Sequence, residues 1–211
     1  MNVPFADEIQ LPKTPKRRKI IIKKQDIQRL IGKVERLNVE SMRLRTKAVI
    51  LLAATSGLRS TEIYRLTLND IDLNNRIVFV RAEKTKDYED RITFFNDEAQ
   101  KTLIEFFKSY KPKSQYPFSE STLRKAFKKI EDPLRLKHMR KFFIQEWERR
   151  GGSIAIRKML AGGSVEDQNN MDPKRLLTGH NSVEVELQSY NFQDVEDLRR
   201  IYDMVGIRIF D

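Results

Sequence analysis

The most informative stretch of this 211-residue chain reads Ser56-Gly57-Leu58-Arg59-Ser60-Thr61-Glu62-Ile63. Gly57 predicts the end of one helix, because glycine readily adopts the left-handed conformation that stops helices. A short helix is predicted to begin at about Ser60. Arg59 therefore lies at a junction, with Glu62 one helical turn further on and close enough to orient its guanidinium group. A guanidinium held in this way suits bidentate binding of a phosphate. The alternative interpretation is an ordinary surface Arg–Glu pair at a helix start.

The patterns on both sides of this stretch predict a mainly α domain with a small antiparallel β-sheet, an α+β fold. An amphipathic helix is predicted around Ile27–Leu37, and a second helix from about 41 to 55 ends in an apolar run. Two short β-prone runs, at 76–81 and 91–95, flank a polar hairpin tip. Further helices are predicted at about 97–109, 120–130, 136–150, 153–160, 183–190 and 194–204.

Polar residues at the predicted helix starts indicate caps. Asn96 and Ser119 are expected to be N-caps, and Asn181 with Glu184 fits a capping box. The polar stretch from Gly162 to Pro173 is expected to form a loop.

The composition points to a polyanionic partner. The formal net charge is +11, with 41 Lys and Arg against 30 Asp and Glu, and neutralising phosphates releases condensed counterions, so nucleic acid is the first candidate. The absence of cysteine excludes disulfides and thiolate metal sites, and two histidines are too few for an ordinary histidine-based metal cluster. There is no apolar run of about 18 residues and no signal peptide, so an intracellular, cytoplasmic protein is expected.

Three further clusters follow Arg59 along the chain. Glu83-Lys84-Thr85-Lys86 lies in the predicted hairpin tip, Leu136-Lys137-His138-Met139-Arg140-Lys141-Phe142-Phe143 opens a later helix, and Thr178-Gly179-His180-Asn181-Ser182 precedes Tyr190. With the first stretch, this order resembles the two arginine boxes, hairpin lysine, Gly-His and C-terminal tyrosine of tyrosine recombinases, the phage integrase family. The resemblance implies the tyrosine recombinase catalytic-domain fold and a site-specific DNA recombinase, or integrase.

The resemblance also implies how the phosphate would be bound and attacked. Arg59, Arg140 and His180 would neutralise the charge that develops on the non-bridging oxygens of the scissile phosphate. Tyr190 would attack phosphorus, giving a 3′-phosphotyrosyl bond and a free 5′-hydroxyl.

Lysines would transfer the protons in this mechanism. Lys84 would protonate the departing 5′ oxygen, with Lys86 as the alternative hairpin lysine, and Lys137 would assist proton transfer. Because the bond energy stays in the covalent intermediate, the resemblance implies neither a metal nor a nucleotide cofactor.

Two departures from the usual pattern favour one branch of the family. Lys137 stands where most members have histidine, with His138 one residue out of register. Tyr190 follows His180 by ten residues (190 − 180), one more than in most members. The integrases of spindle-shaped archaeal viruses resemble this chain in both features, so an archaeal viral integrase is expected. Arg140 and Tyr190 are 50 positions apart (190 − 140), an excess that matches the polar stretch 162–173.

Two other functions remain open. A type IB topoisomerase would use much the same chemistry on one strand at a time. A DNA-binding remnant that no longer cleaves would also fit, given Lys137 and the long polar stretch.

Residues 1–23 are expected to form a basic extended arm or interdomain linker, and residues 24–211 the catalytic domain, without the N-terminal core-binding domain of the family. The expected partners are double-stranded DNA and three further copies in a homo-tetramer at synapsis, the isolated protein being a monomer. In such tetramers each protomer passes a C-terminal helix to its neighbour. An apolar stripe at helical spacing suits either that exchange or packing on the chain's own domain: Val195, Leu198, Ile201, Tyr202 and Val205.

Overall fold

A computed structural model of the chain describes residues 20–84, 90–111, 114–162 and 195–210. Over these residues the fold is mainly helical with one small antiparallel sheet, so the predicted fold class is confirmed. The helices are α1 (Lys24–Val34), α2 (Glu40–Ser56), α3 (Ser60–Arg65), α4 (Asp97–Ser109), α5 (Glu120–Ile130), α6 (Leu136–Arg149), α7 (Ile154–Ala161) and α8 (Val195–Val205). The strands are β1 (Ile71–Asp72), β2 (Ile77–Val80) and β3 (Arg91–Phe94).

Helix α2 forms the centre of the domain. Every residue from Ala48 to Ser56 is buried, which explains why this segment reads as an uninterrupted apolar run instead of an amphipathic stripe. Helices α4 and α6 pack against it. The two polar residues at its end, Thr55 and Ser56, satisfy their hydroxyls by donating to Leu51 O and Leu52 O one turn earlier.

Gly57 ends α2, as its position in the sequence predicts. Its φ of +69° is the left-handed conformation, and its N–H donates to Ala53 O. A Cβ at this position would lie 2.5 Å from Cδ1 of Phe143, so α6 packs directly on the bare backbone of the turn. The left-handed conformation of Gly57 and its close contact with Phe143 therefore both fix the turn before Arg59.

The sheet has three strands in the order β1-β2-β3, all antiparallel. The two predicted β-prone runs pair as a hairpin, with Ile77 opposite Phe94 and Val80 opposite Arg91. The prediction missed β1, because a strand of two residues carries no periodicity. Thr93 of β3 donates its hydroxyl to Ser56 O, which ties the hairpin to the end of α2.

Asn96 and Ser119 both stand at the predicted N-cap positions, but only Asn96 caps its helix through its side chain. The side chain of Asn96 accepts from the N–H of Ala99 at 3.0 Å. Ser119 precedes α5, but its side chain makes no cap hydrogen bond and pairs instead with the hydroxyl of Thr122 at 2.8 Å.

Helix α8 packs on its own domain, one of the two alternatives for its apolar stripe. Leu198 and Tyr202 are buried, and the Tyr202 hydroxyl donates to Thr55 O at 2.8 Å. The chain continues along the domain surface, where the Glu98 carboxylate accepts from the N–H groups of Ile209 and Phe210.

Several predictions lie outside the described residues: the arm up to residue 19, the loop from 163 to 173, the helix 183–190 and the capping box of Asn181 and Glu184. In the part of the chain that is described, no helix is both long and apolar enough to cross a membrane.

Candidate active site

Arg59 and Glu62 form the ion pair that their spacing predicts. Arg59 is the residue before α3, and its Nη1 lies 3.0 Å from Glu62 Oε1. The backbone N–H of Arg59 also donates to Glu62 Oε2 at 2.7 Å, so the carboxylate caps the helix and holds the guanidinium at once. Glu62 is only 1% exposed. The Arg59 side chain is 21% exposed, so the pair is half-buried with its carboxylate in the interior, unlike an ordinary exposed surface pair.

Arg140 reaches the same turn from α6. Its Nη1 donates to Gly57 O at 2.6 Å across 83 positions of sequence, and also to Ala161 O, while its Nη2 donates to Gly162 O at 2.5 Å. The carbonyls of residues 161 and 162 end α7, where the helix dipole favours a cation. Arg140 therefore joins the turn before Arg59 to the end of α7.

Gly162 marks the point where the cations converge. A Cβ at residue 162 would lie 3.1 Å from Nη1 of Arg59 and 3.3 Å from Cζ of Arg91, and Arg140 donates to its carbonyl. The φ of Gly162 is +72°, so glycine is favoured by conformation, and an added Cβ would be in tight contact with the guanidinium groups. Three guanidinium groups thus surround one glycine, with Glu62 as the carboxylate that two of them share.

Arg91 is the member of this cluster that the sequence reasoning missed. It begins β3, its Nη2 lies 2.6 Å from Glu62 Oε2, and its Nε donates to Leu160 O at 3.2 Å. The sequence offered one weak signal, an arginine directly after the hairpin tip. Nothing in its spacing indicates a partner 29 positions away.

Of the three candidate lysines, Lys137 is described in full, Lys84 in part and Lys86 not at all. The backbone of Lys84 ends a 3-10 turn, Ala82–Lys84, at the exit of β2, and its side chain lies outside the described residues together with all of Lys86. Lys137 is exposed, one turn before Arg140 on α6.

Two contacts fix the base of the hairpin that carries Lys84. Arg81 Nε lies 2.8 Å from Oδ1 of the buried Asp70, and the N–H of Ala82 donates to Asp90 Oδ1 at 2.5 Å.

His138, one residue after the position where most family members have histidine, caps a helix. Its Nδ1 accepts from the N–H of Arg135 at 2.9 Å, which caps α6. The ring must be neutral to accept this hydrogen bond, with its proton on Nε2. Partial burial, followed by the charges of Lys137, Lys141 and Arg135, lowers the pKa of His138 from its ordinary value and favours that neutral form.

His180 and Tyr190 lie outside the described residues. No group of three or more His, Asp or Glu side chains that could hold a metal ion occurs within the described ranges.

The three arginines and one carboxylate leave an excess of two positive charges around Gly162. A cluster with this charge suits an anionic ligand such as a phosphodiester, and its guanidinium groups are fixed by the protein before any ligand arrives, which is a condition for electrostatic stabilisation of a transition state. The contacts that hold them are intramolecular and come from four elements: α3, β3, α6 and α7.

Comparison with known proteins identifies relatives of this chain. The chain is 31% identical over 125 residues to the tyrosine recombinase XerA of Saccharolobus solfataricus, a match that covers 57% of this chain and 42% of that protein. The chain thus spans less than half the length of this relative.

Solved structures show the same fold. The crystal structure of XerA recombinase superposes with a TM-score of 0.55 at 22% identity, over 92% of this chain and 68% of that one. A pre-cleavage complex of the XerH recombinase with its difH substrate gives 0.53 at 15% identity, over 81% and 55%.

The family model described as "Phage integrase family" matches residues 21–145, more than half of the chain. This span contains both arginine boxes and the hairpin. The chain therefore belongs to the phage integrase family.

Proposed function

We propose that the chain is the catalytic domain of a site-specific DNA recombinase that cleaves and rejoins DNA through a 3′-phosphotyrosyl intermediate. The observation that carries this proposal is the convergence of Arg59 and Arg140 on Gly162, from elements far apart in the sequence. A preformed cluster of guanidinium groups has the charge and the kind of donor that a phosphodiester requires. Membership of the phage integrase family, and the fold shared with the XerH recombinase that was solved bound to its difH substrate, support DNA as the substrate.

The proposed chemistry distributes roles over the six predicted residues. Arg59, Arg140 and His180 bind the non-bridging oxygens and stabilise the charge of the pentacoordinate transition state. The Tyr190 oxygen forms a bond to phosphorus while the bond from phosphorus to the 5′ oxygen breaks.

Proton transfer completes the step. Lys84, or Lys86 in its place, gives a proton to the departing 5′ oxygen, and the phenol proton of Tyr190 is released to solvent as its oxygen attacks. Lys137 assists proton transfer from the start of α6. The second half-reaction reverses this sequence when another 5′-hydroxyl attacks the phosphotyrosine. No cofactor is assigned to either half.

The finer assignments follow from the same proposal. Lys137 and the ten-residue spacing before Tyr190 favour an integrase of an archaeal virus, which would act inside its host cell. Four copies would assemble on two paired DNA sites, from a protein that is a monomer when isolated. Residues 1–23 would link this domain to a DNA-clamping domain or lie along the DNA.

The test is covalent capture of DNA. The chain is incubated with a pool of nicked duplexes of randomised sequence, in which cleavage near the nick releases a short oligonucleotide and prevents rejoining. We expect a protein–DNA adduct that survives denaturation for the wild type and for the control Tyr116→Phe, whose side chain is exposed, and no adduct for Tyr190→Phe. An adduct with Tyr190→Phe would place the nucleophile elsewhere, and no adduct with wild type would favour a DNA-binding remnant.

A type IB topoisomerase is the second candidate, since the same cluster serves single-strand cleavage. Sequencing the trapped DNA gives a cleavable site for an exchange assay. A recombinase joins strands from two different duplexes, whereas a topoisomerase relaxes supercoiled plasmid and produces no exchanged product.

A further inference from the structure

The buried carboxylate of Glu62 holds two arginines at the same time. Its Oε1 lies 3.0 Å from Arg59 Nη1, and its Oε2 lies 2.6 Å from Arg91 Nη2. The same Oε2 accepts from the backbone N–H of Arg59. Both oxygens are therefore in use, and the position of the carboxylate depends on Arg91 as well as on Arg59.

Arg91 is itself held from two sides. Its side chain is 10% exposed, and besides the ion pair with Glu62 its Nε donates to Leu160 O in the last turn of α7. The planar guanidinium fork makes these two contacts with one orientation, which a flexible ammonium group does not reproduce. Arg91 therefore links three elements of the site: α3 through Glu62, α7 through Leu160, and β3 through its own backbone.

We infer that Arg91 is a positioning residue, which acts through Glu62 to fix the guanidinium of Arg59 at the phosphate site. This inference rests on the proposed function, because it concerns the same cleavage step. In this assignment Arg91 does not contact the phosphate, since its side chain is 10% exposed against 21% for Arg59 and lies against Glu62 and Leu160. Its contribution is geometric: with Arg91 gone, Glu62 Oε2 loses its charged donor, and the carboxylate is held through Arg59 alone and no longer ties that guanidinium to β3 and α7.

Replacing a second arginine beside the same sheet separates the positioning role of Arg91 from the general effect of removing an arginine. Arg76 lies at the other end of the β2–β3 hairpin, where it pairs with Asp97 at 2.9 Å and Asp203 at 3.0 Å. Replacing it removes the same charge and also breaks ion pairs, without touching Glu62. Arg76→Ala is therefore the matched control for Arg91→Ala.

The experiment is single-turnover cleavage of the nicked duplex recovered from the randomised pool, at DNA concentrations that saturate each variant. We expect Arg91→Ala to lower the rate constant of adduct formation by about 10- to 100-fold, the scale of a misplacement of about 1 Å, with the DNA dissociation constant unchanged. Arg91→Lys should recover part of the loss, and Arg76→Ala should react at the wild-type rate. A merely structural role would reduce the fraction of reacting protein and leave the rate constant of the folded fraction unchanged.

The outcomes are distinct from those of the proposed function. If wild type forms the adduct and folded Arg91→Ala forms it at the same rate constant, or loses only DNA affinity, the positioning role is wrong while the recombinase assignment stands. If wild type forms no adduct, both fall together. Should Arg91→Ala fail to fold by circular dichroism, Arg91→Lys decides, because it keeps the charge but not the fork: a wild-type rate constant overturns the inference, and a reduced one at unchanged affinity supports it.

Discussion

Two glycines in the described chain have opposite requirements. Gly57 has a φ of +69° and no room for a Cβ beside Phe143, whereas Gly32 lies inside α1 with no atom within 4 Å of an added Cβ. We expect Gly57→Ala to lower the free energy of unfolding by about 2–3 kcal/mol through strain and overpacking. Gly32→Ala should raise it by about 0.5–1 kcal/mol, since alanine loses less backbone entropy in a helix.

Urea denaturation followed by circular dichroism measures both changes. Equal and small effects for the two variants would mean that Phe143 does not pack on the turn before Arg59. The prediction matters for function, because Gly57 also supplies a carbonyl that holds Arg140.

At the scale of an element, the start of α6 depends on a neutral His138. The pKa of His138 is lowered in the folded state, so the unfolded chain takes up the proton first as the pH falls. The stabilisation from this cap is therefore fully present above the ordinary pKa of 6.5 and is lost as the pH falls through the folded value. We expect wild type to be more stable than His138→Ala by about 1 kcal/mol at alkaline pH, typical of a helix cap.

Urea unfolding of both proteins from alkaline to acidic pH measures this difference. The difference should shrink toward zero in acid. A stability difference that widens in acid would indicate a protonated ring paired with a carboxylate, contrary to a cap made by neutral His138.

Helix α8 offers a second prediction at this scale. Tyr202 is buried against Trp147 and Phe94 and donates to Thr55 O, whereas Met204 two residues on is 84% exposed. We expect Tyr202→Ala to lower the free energy of unfolding by about 3–5 kcal/mol, as for other buried aromatic residues. Met204→Ala should change it by less than about 0.5 kcal/mol.

Thermal unfolding at several protein concentrations measures both variants and tests how α8 is used. A small loss for Tyr202→Ala, or a melting temperature that rises with concentration, would mean that the helix docks on another copy in solution. Packing on the chain's own domain predicts no dependence on concentration.

Across the whole molecule, the excess of positive charge makes a prediction about DNA. The formal net charge is +11. When binding neutralises phosphates, the logarithm of the association constant falls linearly with the logarithm of the salt concentration. If the domain covers roughly four phosphates, the affinity for a labelled duplex should fall about 100-fold between about 50 and 200 mM salt. Fluorescence anisotropy measures this slope, and an affinity indifferent to salt would argue against a DNA-binding surface.

Local features of the chain were predictable because their partners lie within one helical turn. The end of α2 at Gly57 and the cap at Asn96 follow from the conformational preferences of those residues, and the pair of Arg59 with Glu62 follows from their spacing of three. The backbone geometry of a helix fixes such distances whatever the rest of the protein does. The order of the sequence motifs likewise indicated the phage integrase family before the structure was known.

Contacts between distant segments were not predictable in this way. Arg140 reaches Gly57 across 83 positions, Arg91 reaches Glu62 across 29, and Tyr202 reaches Thr55 across 147. No spacing rule relates such pairs, because their distances depend on how α2, α6, α7 and the hairpin pack together. For the same reason His138, one residue away from the expected position, emerged as a helix cap only once its ring was seen against the N–H of Arg135. Local geometry thus specified the elements and one arginine of the cluster, while packing brought the other two arginines to Gly162.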